Sequence, residues 1–381
     1  MKIAISSYNG HTFRTYAKND DLDNPNTQLV LGFGEKSLIQ SGSLYQQLAA
    51  QYPRAAIVLC SSAGEIFDEL VTDHSVSITA IQFEQTSIRS VAINSRDFTD
   101  SYEAGIALVN KLPAMDDLCY ILVISDGTIV NGSKLVNGIN QATHGRIPVT
   151  GGLAGDGANF TSTLVGLNGD PETGNIVAIG FYGKQLAVSH GSSGGWEMFG
   201  PERPISSSSG NRLYEINGEP ALELYKKYLG PYAADLPGSA LLFPLSVKLP
   251  SGETVVRTIL SIDAETGSMV FAGDLPQDAQ IRFMKANFDR LIDAAGQASI
   301  QASADQAPSL ALVISCVGRK IILDGRIGEE VEAVRETLGN KTFLTGFYSY
   351  GEIAPFSEGQ CCQLHNQTIT ITTFTEKSGQ A

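Results

Sequence analysis

The chain has 381 residues, 43% apolar and 17% charged, enough for more than one sizeable core and incompatible with wholesale disorder. Its formal charge of −14 argues against nucleic acid or an anionic membrane as the main partner, because so acidic a chain lacks the field that draws in phosphate. The start, MKIAISSYNGHTF, is interrupted by Asn9 and His11 before a leader-like apolar run forms, and no stretch approaches the roughly 18 apolar residues of a membrane span. With Cys60, Cys119, Cys316, Cys361 and Cys362 forming an odd set without framework spacing, a cytoplasmic protein with reduced thiols is expected.

In chain order, a first unit runs from the apolar segment 28–33 through a mixed stretch to Tyr52. It continues with a second apolar run at 55–60, a turn Ser61-Ser62-Ala63-Gly64-Glu65, and an alternating run at 76–83. A second unit repeats this order. It has a run at 119–124, a helix carrying Leu135, Ile139 and Ala142 on one face, a run at 147–150, a turn ending Gly155-Asp156, and a run at 175–181. Segments 189–196 and 201–211 are rich in Gly, Pro and Ser and mark a domain junction. Beyond it the pattern predicts a helix with Leu222, Tyr225 and Leu229 on one face, opened by Pro220 and stopped by Gly230. A strand meander over 241–281 and a helix with Phe288, Leu291, Ile292 and Ala295 on one face follow. The third unit has a run at 309–314, a helix with Val331, Val334 and Leu338 ended by Gly339, a run at 342–345, the turn Tyr348-Ser349-Tyr350-Gly351-Glu352, and a run at 368–374. The expectation is a mixed α/β fold in two domains, 28–205 and 206–375, built from repeated strand, helix, strand, Gly-acid turn, strand units. Continuous apolar strands imply sheets covered on both faces.

The three Gly-acid turns are the strongest candidate site. Glycine allows positive φ and close approach to a ligand, and strand ends in α/β folds are where ligands bind. Converging carboxylates of Glu65, Asp156 and Glu352, with Ser61 and Gly64 beside them, would suit an ammonium group. Arg203, Arg257 or Arg319 would then take a carboxylate. The same acids could equally cap helices or pair with arginines. Tyr348, Tyr350 and Trp196 could wall a pocket, and Asn211 follows the junction loop where a cleft would open. Gly191 to Gly195 spells G-x-S-x-G around Ser193, with Asp324 and His365 later in hydrolase order. The prolines and glycines that follow Ser193 forbid the helix such an elbow needs, so no enzyme is expected. Cys362 and His365 make only half a metal site.

Several of these motifs resemble FIST-domain proteins: Ser61-Ser-Ala-Gly-Glu-Ile, Gly152-Leu-Ala-Gly-Asp, Trp196-Glu-Met-Phe-Gly-Pro, Asn211 to Leu222, Tyr348-Ser-Tyr-Gly-Glu-Ile-Ala-Pro, and Leu364-His-Asn-Gln-Thr. They occur in the family's order from Gln28 to Phe374, with an N-terminal and a C-terminal half. The resemblance implies a sensory module that binds a small ligand, with amino acids suggested, and signals to a separate partner such as a histidine kinase or a cyclic-di-GMP enzyme. A subset of the family binds haem and senses nitric oxide. For that alternative His365, before a β-rich run, and His190, in a Gly-rich loop, are the candidate axial ligands.

Overall fold

The computed structural model describes residues 1–113, 117–250, 252–303, 307–357 and 359–377. The first unit comprises β1 (Lys2–Tyr8), β2 (Phe13–Lys18), β3 (Leu29–Gly34), α1 (Lys36–Ile39), α2 (Ser43–Gln51), β4 (Ala56–Ser61), β5 (Glu65–Phe67), β6 (Leu70–Thr72) and β7 (Val76–Gln82). The second has β8 (Ser87–Asn94), α3 (Ser101–Lys111), β9 (Leu118–Ser125), α4 (Gly132–Thr143), β10 (Val149–Leu153), β11 (Val165–Leu167) and β12 (Asn175–Tyr182). After β13 (Leu186–Ser193) an insertion supplies β14 (Glu197–Ser209), β15 (Arg212–Ile216), β16 (Glu219–Pro220), α5 (Ala221–Leu229), β17 (Leu245–Lys248), β18 (Thr254–Arg257), β19 (Ile259–Asp263), β20 (Ser268–Phe271) and β21 (Gln280–Lys285). The third unit then resumes with α6 (Phe288–Ala302), β22 (Leu310–Cys316), α7 (Val317–Leu323), α8 (Ile327–Leu338), β23 (Phe343–Ser349), β24 (Gly351–Pro355), β25 (Cys362–His365) and β26 (Ile369–Glu376).

Each unit builds one mixed sheet by the same rule. A parallel pair (β3 with β4, β9 with β10, β22 with β23) is flanked by an antiparallel strand (β7, β12, β26), which in turn pairs with the unit's first strand (β1, β8, β13). The short strand after each Gly-acid turn does not return to its own sheet. Instead β5 pairs with β23, β11 with β4 and β24 with β10, so the three units exchange strands in a closed cycle. The result is pseudo-threefold.

The inner faces of all three sheets meet in one core that includes Leu31, Phe33, Leu122, Ile124, Leu312 and Ile314. Residues one position along point outward to the helices: Val30 packs with Leu44 and Leu48, and Val123 and Val313 pack under α4 and α8. Period-2 alternation with both faces buried is why these strands look uniformly apolar in sequence. Helices form where expected. Gly230 ends α5 with φ 56° and Gly339 ends α8 with φ 80°, the left-handed stop that glycine supplies. The elements that were not expected include strands β1, β2, β8, β13, β14 and β15 and helices α3 and α7.

The insertion forms a separate sheet, ordered β18-β17-β21-β14-β15-β20-β19, with its own core around Tyr225, Phe271 and Phe283. The expected boundary between residues 205 and 206 falls inside β14, whose pairing with both β15 and β21 holds the strand in one piece.

Candidate functional site

The three turns meet. The Ala63 amide donates to Tyr348 O (2.8 Å), the Gly155 amide to Ser61 O (3.0 Å) and the Tyr350 amide to Leu153 O (3.1 Å), closing the strand exchange into a ring of backbone bonds. Gly64 has φ 136°, a backbone conformation that strains any other residue, and a Cβ there would displace Lys320 Nζ. Lys320 donates to Ala63 O (2.9 Å), pairs with Asp73 and lies over the Tyr348 ring at 5.6 Å.

The three carboxylates have different fates. Glu65 accepts from Ser62 (2.8 Å) and Ser75 (3.0 Å), and burial raises its pKa to about 7. Glu352 accepts from Ser349 (2.7 Å) and from the Thr368 hydroxyl (2.8 Å), and burial lifts it to about 8. The serine three residues before each of these acids is the same local lock in both units. Burial would also raise Asp156, but Tyr350 and the Thr161–Ser162 segment donate to it and hold it below the ordinary carboxylate range.

Two cavities open at these strand ends. The smaller, about 390 Å³, is polar and lined by Glu65 and Asp156 together with Gly64, Glu35, Lys36 and Asp73. The larger, about 620 Å³, lies at the junction of units two and three with the insertion. Unit two contributes the loop Gly127 to Gly132, unit three contributes Cys316 to Gly318 and Tyr350, and the insertion contributes Asn211, Thr258 to Leu260 and Phe271 to Gly273. Asp126 shapes the first loop by accepting from the amides of Thr128 and Ile129 (both 2.7 Å), and Asn131 caps α4 through Lys134 N (3.0 Å). The Tyr350 ring stacks on Phe160 at 4.6 Å, and its hydroxyl is bound to Asp156, so this one side chain separates the two cavities.

Glu65, Asp156 and Gly64 therefore border one hollow, Asn211 and Tyr350 border another, and Glu352 lines neither. Ser61 is buried and spends its hydroxyl on Leu164 N (2.9 Å). Tyr348 is buried against Glu330. None of the three arginines lines either cavity, because each has a structural partner. Arg203 holds the Tyr228 hydroxyl (3.1 Å). Arg257 ties the insertion to unit three through Leu364 O (3.0 Å). Arg319, fully buried, pairs with Glu330 (2.7 Å) and donates to Gly194 O and Leu291 O. Trp196 packs behind the junction with Leu323, with Leu241 of the cavity wall against the same cluster.

The histidines do not fit a haem pocket. His365 donates from Nε2 to Ala354 O (2.9 Å), lies edge-on to Phe356, and is pushed down to about 4 by burial. His190 sits in β13 opposite Thr372. Neither lines either cavity. Ser193 ends a strand, and no helix follows it.

Composition and turn signals do not mark Lys36, Thr258 or the 258–260 and 271–273 segments, whose strand pattern gives no hint of facing a cavity. The loop after β9 was missed as well, though its signal was there: Asp126-Gly127 and the Asn131 cap follow a strand end.

The FIST N domain profile matches residues 28–219 and the FIST C domain profile matches residues 221–355. The chain belongs to the FIST family. FIST domains are sensory domains of signal transduction that sense small ligands. No curated protein matches the chain. Among solved structures, it is similar to cyanuric acid hydrolase from A. caulinodans at 9% identity, with 94% of this chain and 92% of that one covered and a TM-score of 0.35. A second cyanuric acid hydrolase structure is similar at 10% identity, with 98% and 100% covered and a TM-score of 0.35. The border between the two FIST profiles falls in the insertion, within β16 and just before α5.

Proposed function

We propose that this FIST protein is a small-molecule sensor whose ligand binds in the 620 Å³ junction cavity and which reports to a separate partner such as a histidine kinase or a cyclic-di-GMP enzyme. The carrying observation is that the cavity has walls from unit two, unit three and the insertion. A ligand touching all three favours one arrangement of the insertion on the body, and a partner reading that arrangement receives the signal. The smaller cavity supports a second reading. There Glu65 and Asp156 could meet an ammonium group and Lys36 a carboxylate, which is what an amino acid requires.

A thermal-shift panel of amino acids and uncharged metabolites tests both readings. A stabilising compound whose effect is lost in Asn211→Ala supports the junction cavity. One whose effect is lost in Lys36→Met and Glu65→Gln supports the smaller one. If no shift depends on either set, both readings fall. Added haem should give no Soret band that His365→Ala or His190→Ala removes.

A further inference from the structure

We propose that the junction cavity takes an uncharged ligand with an apolar body and a hydrogen-bonding head. The inference rests on the junction cavity being the ligand site and names the chemistry that this site accepts. Among the described residues, no Asp, Glu, Lys, Arg or His lines it. A charged group seated there would leave water without a counter-charge, a cost that ordinary polar contacts do not offset. The charged groups close behind the walls are already engaged. Asp274 accepts from Asn131 Nδ2 (3.0 Å), Arg257 donates to the Asp274 carbonyl (3.1 Å) and to Leu364 O, and Glu352 is enclosed by Ser349 and Thr368. The N-terminus of α4 adds a weak preference for negative charge, partly used by its Asn131 cap.

Two observations point to a ligand. Thr258 lines the cavity, is 6% exposed, and its Oγ1 has no hydrogen-bond partner. Such a group is costly unless something else bonds to it. Across β20 from it, Asn211 donates from Nδ2 to Phe271 O (2.8 Å), and among the described residues no protein donor reaches its Oδ1. These two side chains are the receptor for the head. The lining residues Ile129, Phe160 and Leu260 are 45%, 43% and 47% exposed and are grouped on one cavity. Phe160, stacked on Tyr350, offers an aromatic surface for the body.

Calorimetric titration of the full chain with matched probes decides the matter: 4-phenylbenzamide (neutral), 4-phenylbenzoate (anionic) and 4-phenylbenzylammonium (cationic). The neutral amide is expected to bind at least tenfold more tightly than either ion. Thr258→Val, nearly isosteric, should weaken it five- to tenfold, and Ala272→Phe, which fills the cavity, should abolish it. An ion binding as tightly as the amide, with that binding lost in Ala272→Phe, overturns the ligand class while leaving the cavity as the site. Unchanged amide affinity in Thr258→Val overturns the assigned head receptor. If no probe binds, or Ala272→Phe leaves all binding intact, the cavity reading fails and the proposal with it.

Discussion

Glu65 and Glu352 occupy equivalent corners, are locked by serines three residues earlier, and have pKa values raised by burial to about 7 and about 8. Each binds its proton more tightly folded than unfolded. Their contribution is therefore fully present below the unfolded pKa near 4.5 and is lost as pH rises to about 7 for Glu65 and about 8 for Glu352. Glu376 has the opposite sign. Burial alone would raise it, but donation from the Thr86, Glu84 and Gln85 amides and the Met1 ammonium lowers it to about 2. Its contribution is present above 4.5 and fades as pH falls toward 2. Relative to the native chain, Glu352→Gln should accordingly gain up to about 4 kcal/mol of stability between pH 5 and pH 9, measured by urea denaturation. A pH-independent difference would mean that the carboxyl does not titrate in this range.

At the scale of the element, glycine sets how closely strands approach. Gly346 of β23 lies opposite Val313 of the parallel neighbour β22, and a Cβ there would strike the Val313 carbonyl. Gly151 of β10 stands in the same relation to Val123 of β9, so two units share the device. Gly346→Ala should cost about 3 kcal/mol, because backbone on a buried strand cannot yield. Gly328, in the first turn of α8 with open space around it, is the contrasting case, and Gly328→Ala should gain about 0.5 kcal/mol through helix propensity. Equal effects at both positions would remove the packing explanation. Element type was legible because it follows from local pattern: Val331, Val334 and Leu338 all face the core from α8, and Leu291 and Ala295 do so from α6. Phe288 stood on the same predicted face but is 45% exposed at the first position of its helix, where the core ends.

For the whole molecule, the closed strand exchange means that no unit completes its own sheet. In a fragment of residues 1–196, β5 lacks β23, β10 lacks β24 and β13 lacks β26, leaving three unpaired strand edges and uncovered core faces. Such a fragment should aggregate when expressed alone and become soluble when co-expressed with residues 197–381. A cooperatively folding, monomeric fragment would show that the cycle is dispensable. No helix among the described residues is long and apolar enough to cross a membrane.

Residue pattern alone determined the α/β class, the three repeated units and the turns that bring Glu65 and Asp156 to one hollow, since periodicity and glycine placement act over a few neighbouring residues. Tertiary structure decided what those residues do. Arg319 was a plausible carboxylate ligand until Glu330, on a later helix, claimed it, and Glu352 looked equivalent to Glu65 until Thr368 closed over it. The junction cavity itself joins residues as distant as Gly127, Thr258 and Tyr350. Burial and pairing across such separations depend on how strands are exchanged between units, which no local pattern encodes.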